Sequence, residues 1–170
     1  MIKQIGLGGG CHWCTEAVFA SLKGVITVNQ GWIASDNENS TYSEGIIIEF
    51  DATSISLDVL VAIHLHTHSA TAMHSMRGKY RSAVYYFNAE DCIEAIKAIQ
   101  KLQPEFDAPI ITKVMPFVDF RLNIPEQLNY YYTDPTRPFC ETYINPKLKL
   151  LLQQFSDNVD RDKLPEAIKI

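Results

Sequence analysis

Excess positive charge is absent from this 170-residue chain: its formal net charge is -5 and its pI is near 5.5. That balance argues against a nucleic-acid backbone or an anionic membrane as the main partner. Long apolar runs are missing as well, and none approaches the ~18 residues that a membrane span needs. The opening residues, MIKQIGLGGGC, have neither the apolar core nor the small-residue cleavage site of a signal peptide, because glycines interrupt them at once. A cytoplasmic protein is therefore expected. No interdomain linker, repeat or low-complexity tract stands out. Charged residues make up 21% and hydrophobic residues 46%, a composition that folds and that suffices for one sizeable core but is short for two. The chain reads as a single domain over residues 1–170. Its core spans about 1–115, and an aromatic, proline-punctuated segment with a helix spans about 116–170.

Cysteine is scarce too. Of only 4, two are crowded into GLGGGCHWCTEAVF, residues 6–19, spaced C-x-x-C behind three consecutive glycines. In a reducing compartment such a pair is more often catalytic or metal-binding than a structural disulfide.

Around this motif the hydrophobic pattern alternates between two periods. Residues 2–7 read as a short buried strand ended by Gly8, Gly9 and Gly10. Residues 12–23 have helical spacing, with Gly24 as a C-cap. Residues 25–33 read as a strand, 35–42 (SDNENSTY) as a polar loop, and 44–50 (EGIIIEF) as a β-branched strand. Residues 56–66 form a helix with Ser54 or Ser56 as N-cap and Asp58 in its first turn. Residues 81–87 are a strand. Residues 89–102 are an amphipathic helix with an expected apolar face of Cys92, Ile93, Ile96 and Ile99. Residues 109–115 form another strand and 147–155 a last helix. The order β-α-β, β-α-β, then a further helix and strand, is that of a ferredoxin-like split βαβ sandwich: an α+β fold with an antiparallel or mixed sheet, helices packed on it and a C-terminal extension.

The glycine run does not complete a nucleotide loop. A P-loop needs Gly-Lys-Ser/Thr at its end, and a dinucleotide loop needs a third glycine where Cys11 stands. What the glycines do is deliver Cys11 to the first turn of a helix, where free N–H groups and the positive dipole end favour a thiolate. Cys14 lies one turn on and faces the same side. A structural zinc site would need two further ligands. Cys92 and Cys140 stand alone, and Cys92 on an apolar helix face reads as an inert buried thiol. His64, His66, His68 and His74 could supply ligands, although His64 and His66 do not share a helix face. Zinc thus stays open beside a dithiol redox couple, which is the stronger reading. Glu44 stands at the mouth of the strand EGIIIEF, where half-burial would raise its pKa and let it donate a proton near neutral pH; a solvated strand-end glutamate is the plainer alternative. Tyr42, Tyr80 and Trp13 are the aromatics nearest to these groups in sequence.

Taken together, GGGCHWCTEAVF, QGWIAS, STYSEGIIIEFD and KYRSAVYYF resemble the methionine sulfoxide reductase A family, clearly over about residues 4–88 and more loosely to about 145. The resemblance implies a ferredoxin-like α+β domain that reduces methionine S-sulfoxide, free or in proteins. It implies Cys11 as nucleophile, Glu44 as proton donor, Tyr42 and Tyr80 as hydrogen-bond donors to the sulfoxide oxygen, and Trp13 as a wall of the pocket for the S-methyl group. Cys11 would pass through a sulfenic acid to a disulfide recycled by thioredoxin or another dithiol. Cys14 is the first candidate for the resolving thiol and Cys140 the second. Neither metal nor organic cofactor is implied, and a monomer is expected. The chain departs from the family pattern in several places. His12 stands where phenylalanine is usual, which would make the substrate pocket more polar. Several residues are missing between Tyr42 and Glu44. Ser75 stands near the place of an aspartate, a role open to His74 or Arg77. The glycine-rich stretch around Cys140 is absent. A general dithiol oxidoreductase and a non-catalytic zinc or binding module are the rival readings.

Overall fold

The computed structural model describes residues 1–169. Its centre is a strand pair, one strand with apolar residues spaced by glycines and the other with three buried isoleucines in a row, Ile46, Ile47 and Ile48. Strand β1 (Ile2–Gly8) runs antiparallel to β3 (Ser43–Asp51), with Ile5 opposite Ile48 and Leu7 opposite Ile46. Strand β2 (Val25–Ala34) pairs antiparallel with the far side of β3, and β4 (Ala83–Tyr86) with the far side of β1. Helix α1 (His12–Ala20) links β1 to β2, and α2 (Leu57–Thr67), capped by the Ser56 hydroxyl on the Val59 N–H at 3.2 Å, leads from β3 to β4. The inner order β4-β1-β3-β2 is that of the split βαβ sandwich. Helix α3 (Ala89–Leu102) then carries the chain to β5 (Lys113–Pro116), parallel to β4, while β6 (Asp119–Leu122) joins β2 at the opposite edge.

Only Phe117 and Val118 separate β5 from β6, although these strands occupy opposite edges of the six-stranded order. At roughly 3.5 Å of reach per residue, so short a link requires the two edges to lie side by side. The sheet is accordingly rolled. The Phe117 N–H donates to the Tyr86 carbonyl on one edge and the Val118 N–H to the Ala34 carbonyl on the other, at 2.9 and 3.1 Å. Inside the roll Ile33, Ile47, Ala83, Tyr85 and Met115 form a small second core, backed by Phe117 and Phe120. The space is tight enough that a Cβ on Gly6 would lie 2.9 Å from the Tyr85 Cβ, and one on Gly31 only 2.0 Å from the Arg121 carbonyl oxygen.

The other sheet face carries the helices and the main core. That core runs past residue 115: Tyr131, Cys140, Ile144, Leu148 and Leu151 belong to it beside Ile5, Leu7, Phe19 and Phe50. They come from α4 (Tyr130–Thr133), a π-turn over Cys140–Ile144 and α5 (Asn145–Gln154). The C-terminal segment is thus part of the packing around α1. On α3 the apolar residues do not face inward as the pattern predicts. Asp91, Ala95 and Ala98 do, whereas Ile93 and Ile96 are exposed and Cys92 and Ile99 half-buried. The small alanines let α3 lie close against α2, and buried Asp91 is matched by the Lys3 ammonium at 2.5 Å. No described helix is long and apolar enough to cross a membrane.

Candidate active site

Cys11 is the N-cap residue of α1, and its carbonyl accepts the N–H groups of Cys14 and Thr15 at 3.1 and 3.3 Å. Gly9 before it is needed for space: a Cβ there would stand 2.4 Å from the His68 ring. Cys11 and Cys14 open onto a cavity of about 340 Å³ whose walls include His68, Met76, Tyr80, Phe139, Tyr143 and Lys147. The Cys14 thiol hydrogen-bonds to the Cys11 sulfur and, with the N–H groups of Trp13 and Cys14, lowers the Cys11 pKa; burial and the negative charge of Glu44 oppose this. Cys14 is held protonated by the same bond and by burial. The Lys147 ammonium, which also donates to the Thr67 carbonyl, acts on both thiols in the direction of ionisation. Cys140 is fully buried, lies near enough for its charge to act on Cys14, and is pushed up by burial.

Glu44 opens β3 on the helix-covered face of the sheet and is 7% exposed. Its Oε1 accepts the backbone N–H of His12 at 3.2 Å, and the Lys79 ammonium stands 3.6 Å from Oε2. A stabilised thiolate, a buried carboxyl within range of its charge and a tyrosine on the same cavity wall can deliver an electron pair and a proton to one bound group. Among the described residues no three His, Cys, Asp or Glu side chains group to hold a metal ion, so the zinc alternative gains nothing from the geometry.

The sequence profile of the family described as peptide methionine sulfoxide reductase matches residues 3–159. The chain belongs to this family. The peptide methionine sulfoxide reductase MsrA of Pasteurella multocida is 34% identical over 161 residues, covering 86% of this chain and 92% of that protein. In fold, the chain is similar to Mxr1 from Saccharomyces cerevisiae in reduced form, with a TM-score of 0.74 at 20% identity over 84% of this chain and 91% of that one. Mxr1 in complex with Trx2 gives a TM-score of 0.61 at 21% identity, over 74% of this chain and 83% of that one.

As a peptide methionine sulfoxide reductase, the chain places its expected site residues unevenly. Cys11, Cys14 and Tyr80 line one cavity, Glu44 lies beside Cys11, and Cys140 lies behind Cys14. Tyr42 is not with them. Strand β6 brings Asp119 and Arg121 against it, so its hydroxyl donates to the Asp119 carboxylate and the Arg121 guanidinium sits 4.0 Å over its ring. His12 does not line this cavity either. Its ring is buried between β2 and Glu44, with Nδ1 2.7 Å from the Gly31 carbonyl oxygen, so the expected polar pocket wall is corrected to a buried residue behind the carboxylate. Trp13 backs the cavity from outside it: it stacks on Tyr130 at 3.9 Å and meets the edge of Phe139, a cavity residue, at 5.4 Å.

Ser75 is exposed, and Arg77 does the holding in this family member. Its guanidinium donates to the carbonyls of Gly9 and Tyr80 at 2.7 and 2.9 Å, tying the loop before Cys11 to that of Tyr80. Sequence reasoning missed Lys147, which in KLKLLL looks like any solvated helix charge, and Glu16. Buried Glu16 accepts the Gln30 side-chain amide and the backbone N–H groups of Asn129 and Tyr130 at 2.9 to 3.2 Å, and so pins the C-terminal segment over α1.

Proposed function

We infer that the protein reduces methionine S-sulfoxide, free or in proteins, to methionine, with Cys11 as the nucleophile. The observation that carries this reading is the Cys11 thiol, lowered in pKa by Cys14 and by the turn of α1, facing a mostly apolar cavity beside a buried carboxyl. The Cys11 thiolate attacks the sulfoxide sulfur while the oxygen takes a proton from Glu44, with Tyr80 as a hydrogen-bond donor to that oxygen. The substrate sulfur gains two electrons and leaves as a thioether. Cys11 loses two and remains as a sulfenic acid.

A second thiol then displaces water from the sulfenic acid. Cys14 is our first candidate because its thiol already rests on the Cys11 sulfur; Cys140 is the second. A dithiol protein such as thioredoxin reduces the disulfide, and the Mxr1 complex with Trx2 supports a protein partner at this step. All electrons come from thiols, so the cycle calls for no metal or organic cofactor, and it suits a single-domain protein in the reducing cytoplasm.

The test is reduction of a peptidyl methionine sulfoxide with dithiothreitol. The wild type should turn over and Cys11→Ser should not; equal rates, or no turnover by either, end this reading. Mass spectrometry after one equivalent of sulfoxide without reductant should show a bond from Cys11 to Cys14, and a bond to Cys140 instead would exchange their roles.

A further inference from the structure

His12 is buried, and both ring nitrogens face a fixed neighbour. Nδ1 lies 2.7 Å from the Gly31 carbonyl oxygen. A carbonyl only accepts, so Nδ1 carries the ring hydrogen. Nε2 lies 3.5 Å from Oε1 of Glu44, and the two side chains are 5% and 9% exposed. A neutral His12 with a carboxylate Glu44 would therefore turn a bare lone pair toward an anionic oxygen away from water, which is unfavourable. One proton between them removes the conflict, whether on Nε2 or on the carboxyl. The other charged groups around the pair are the Lys79 ammonium, 3.6 Å from Oε2 on the solvent side, the Glu16 carboxyl on the same helix and the neighbouring Cys11 thiol. The Trp32 ring closes the remaining side, edge-on at 5.2 Å.

We propose that His12 is a positioning residue that shares one proton with Glu44 and so keeps that proton at hand for the carboxyl, a role that rests on the reading of Glu44 as the acid of sulfoxide reduction. In the chemical step the Cys11 electron pair forms a new S–O bond, the substrate S–O bond breaks, and the proton from Glu44 ends on the oxygen of the Cys11 sulfenic acid. That proton is the single one the pair shares, so the step leaves His12 Nε2 and Glu44 without it. Condensation with the second thiol releases water, and the later return of Cys11 from thiol to thiolate frees the proton that restores the pair. Over a full cycle one sulfoxide and one dithiol become one thioether, one disulfide and one water, with no net proton taken up.

Single-turnover formation of methionine, without reductant, tests this over about pH 6–9, the range that brackets an imidazole's titration. The variant is His12→Asn, whose amide keeps a donor for Gly31 and cannot titrate. The wild-type rate should fall as pH rises through the imidazole range; the variant should be slower by roughly tenfold or more near neutrality and lack that limb. Alkylation of Cys11 by iodoacetamide, followed over the same range, should be slowed far less than methionine formation, because only the negative charge left on Glu44 bears on the thiol. Superimposable rate profiles, or alkylation that shifts as the rate does, overturn the proposal and leave the sulfoxide reductase reading standing. No methionine from the wild type overturns both. Imidazole nitrogen NMR of the wild type is independent of the variant's folding. It should show His12 Nδ1 protonated throughout; a neutral ring with bare Nδ1 refutes the proposal.

Discussion

Glu44 acts on Cys11 in two opposed ways. As the proposed acid it would complete the reaction; as a negative charge it makes the Cys11 thiolate harder to form. Glu44→Gln separates the two effects. The amide oxygen still accepts the His12 N–H, but there is no proton to give and no charge to repel the sulfur. Sulfoxide reduction should fall by roughly 10²–10⁴, while alkylation of Cys11 below its pKa should become faster. A stopped assay and an iodoacetamide time course on one preparation measure both. An unchanged reduction rate would leave Glu44 with a structural role, and slower alkylation would contradict the sign of its effect on the thiol.

At the scale of elements, the site depends on the C-terminal segment being held to α1, and Glu16 is the tie. Burial raises its carboxyl pKa, while the Asn129 N–H, the Gln30 amide and the Tyr130 N–H work against that rise. Glu16→Ala leaves those donors without their partner and should cost about 3 kcal/mol of stability in urea titration. Faster amide exchange confined to residues 129–143 would accompany it; a loss below about 0.5 kcal/mol would show that the stacked rings Trp13 and Tyr130 hold the segment alone. The inner strands were legible because β3 is buried on both faces, which makes GIIIEF a nearly continuous apolar run. Helix α3 misled because its buried stripe is built from Asp91, Ala95 and Ala98, which weigh little beside the exposed Ile93 and Ile96. Strand β6 has a local pattern too weak to read, since DFRL is exposed or half-exposed and exists by pairing with β2. The same reason governs the site. Cys11 and Glu44 announce themselves through local motifs. The positions of Tyr42, Lys147 and Glu16 follow from contacts made across most of the chain, which no window of sequence contains.

For the whole molecule, acid should be the weak side. His64 Nε2 donates to the Gly8 carbonyl at 2.8 Å, and His68 Nδ1 donates to the His64 carbonyl while its Nε2 accepts the Ser82 hydroxyl at 2.8 Å. Both rings are therefore neutral, and burial first of all lowers both pKa values, that of His68 to about 4. An unfolded histidine takes up its proton near pH ~6.5, so below that pH the unfolded chain binds more protons than the folded one. The stability contributed by the pair is complete above this pH and is lost as pH falls from there toward 4, with a slope of up to about 1.4 kcal/mol per unit for each ring. Raised Glu16 works the other way and softens the decline. Calorimetry at pH 7.5, 6 and 5 (roughly spanning that titration) should show a falling Tm, with a shallower fall in His68→Asn; a flat Tm would refute it.

The catalytic pocket also has an order in time. Cys11 is near the start of the chain, whereas Phe139, Tyr143 and Lys147, which wall and charge its cavity, come near the end. Synthesis runs from N- to C-terminus, so the growing chain presents its glycine loop and both thiols long before the residues that tune and shelter them. On a nascent chain Cys11 already has Cys14 and its own helix turn beside it, but the cavity that shelters it is complete only when the last helix docks.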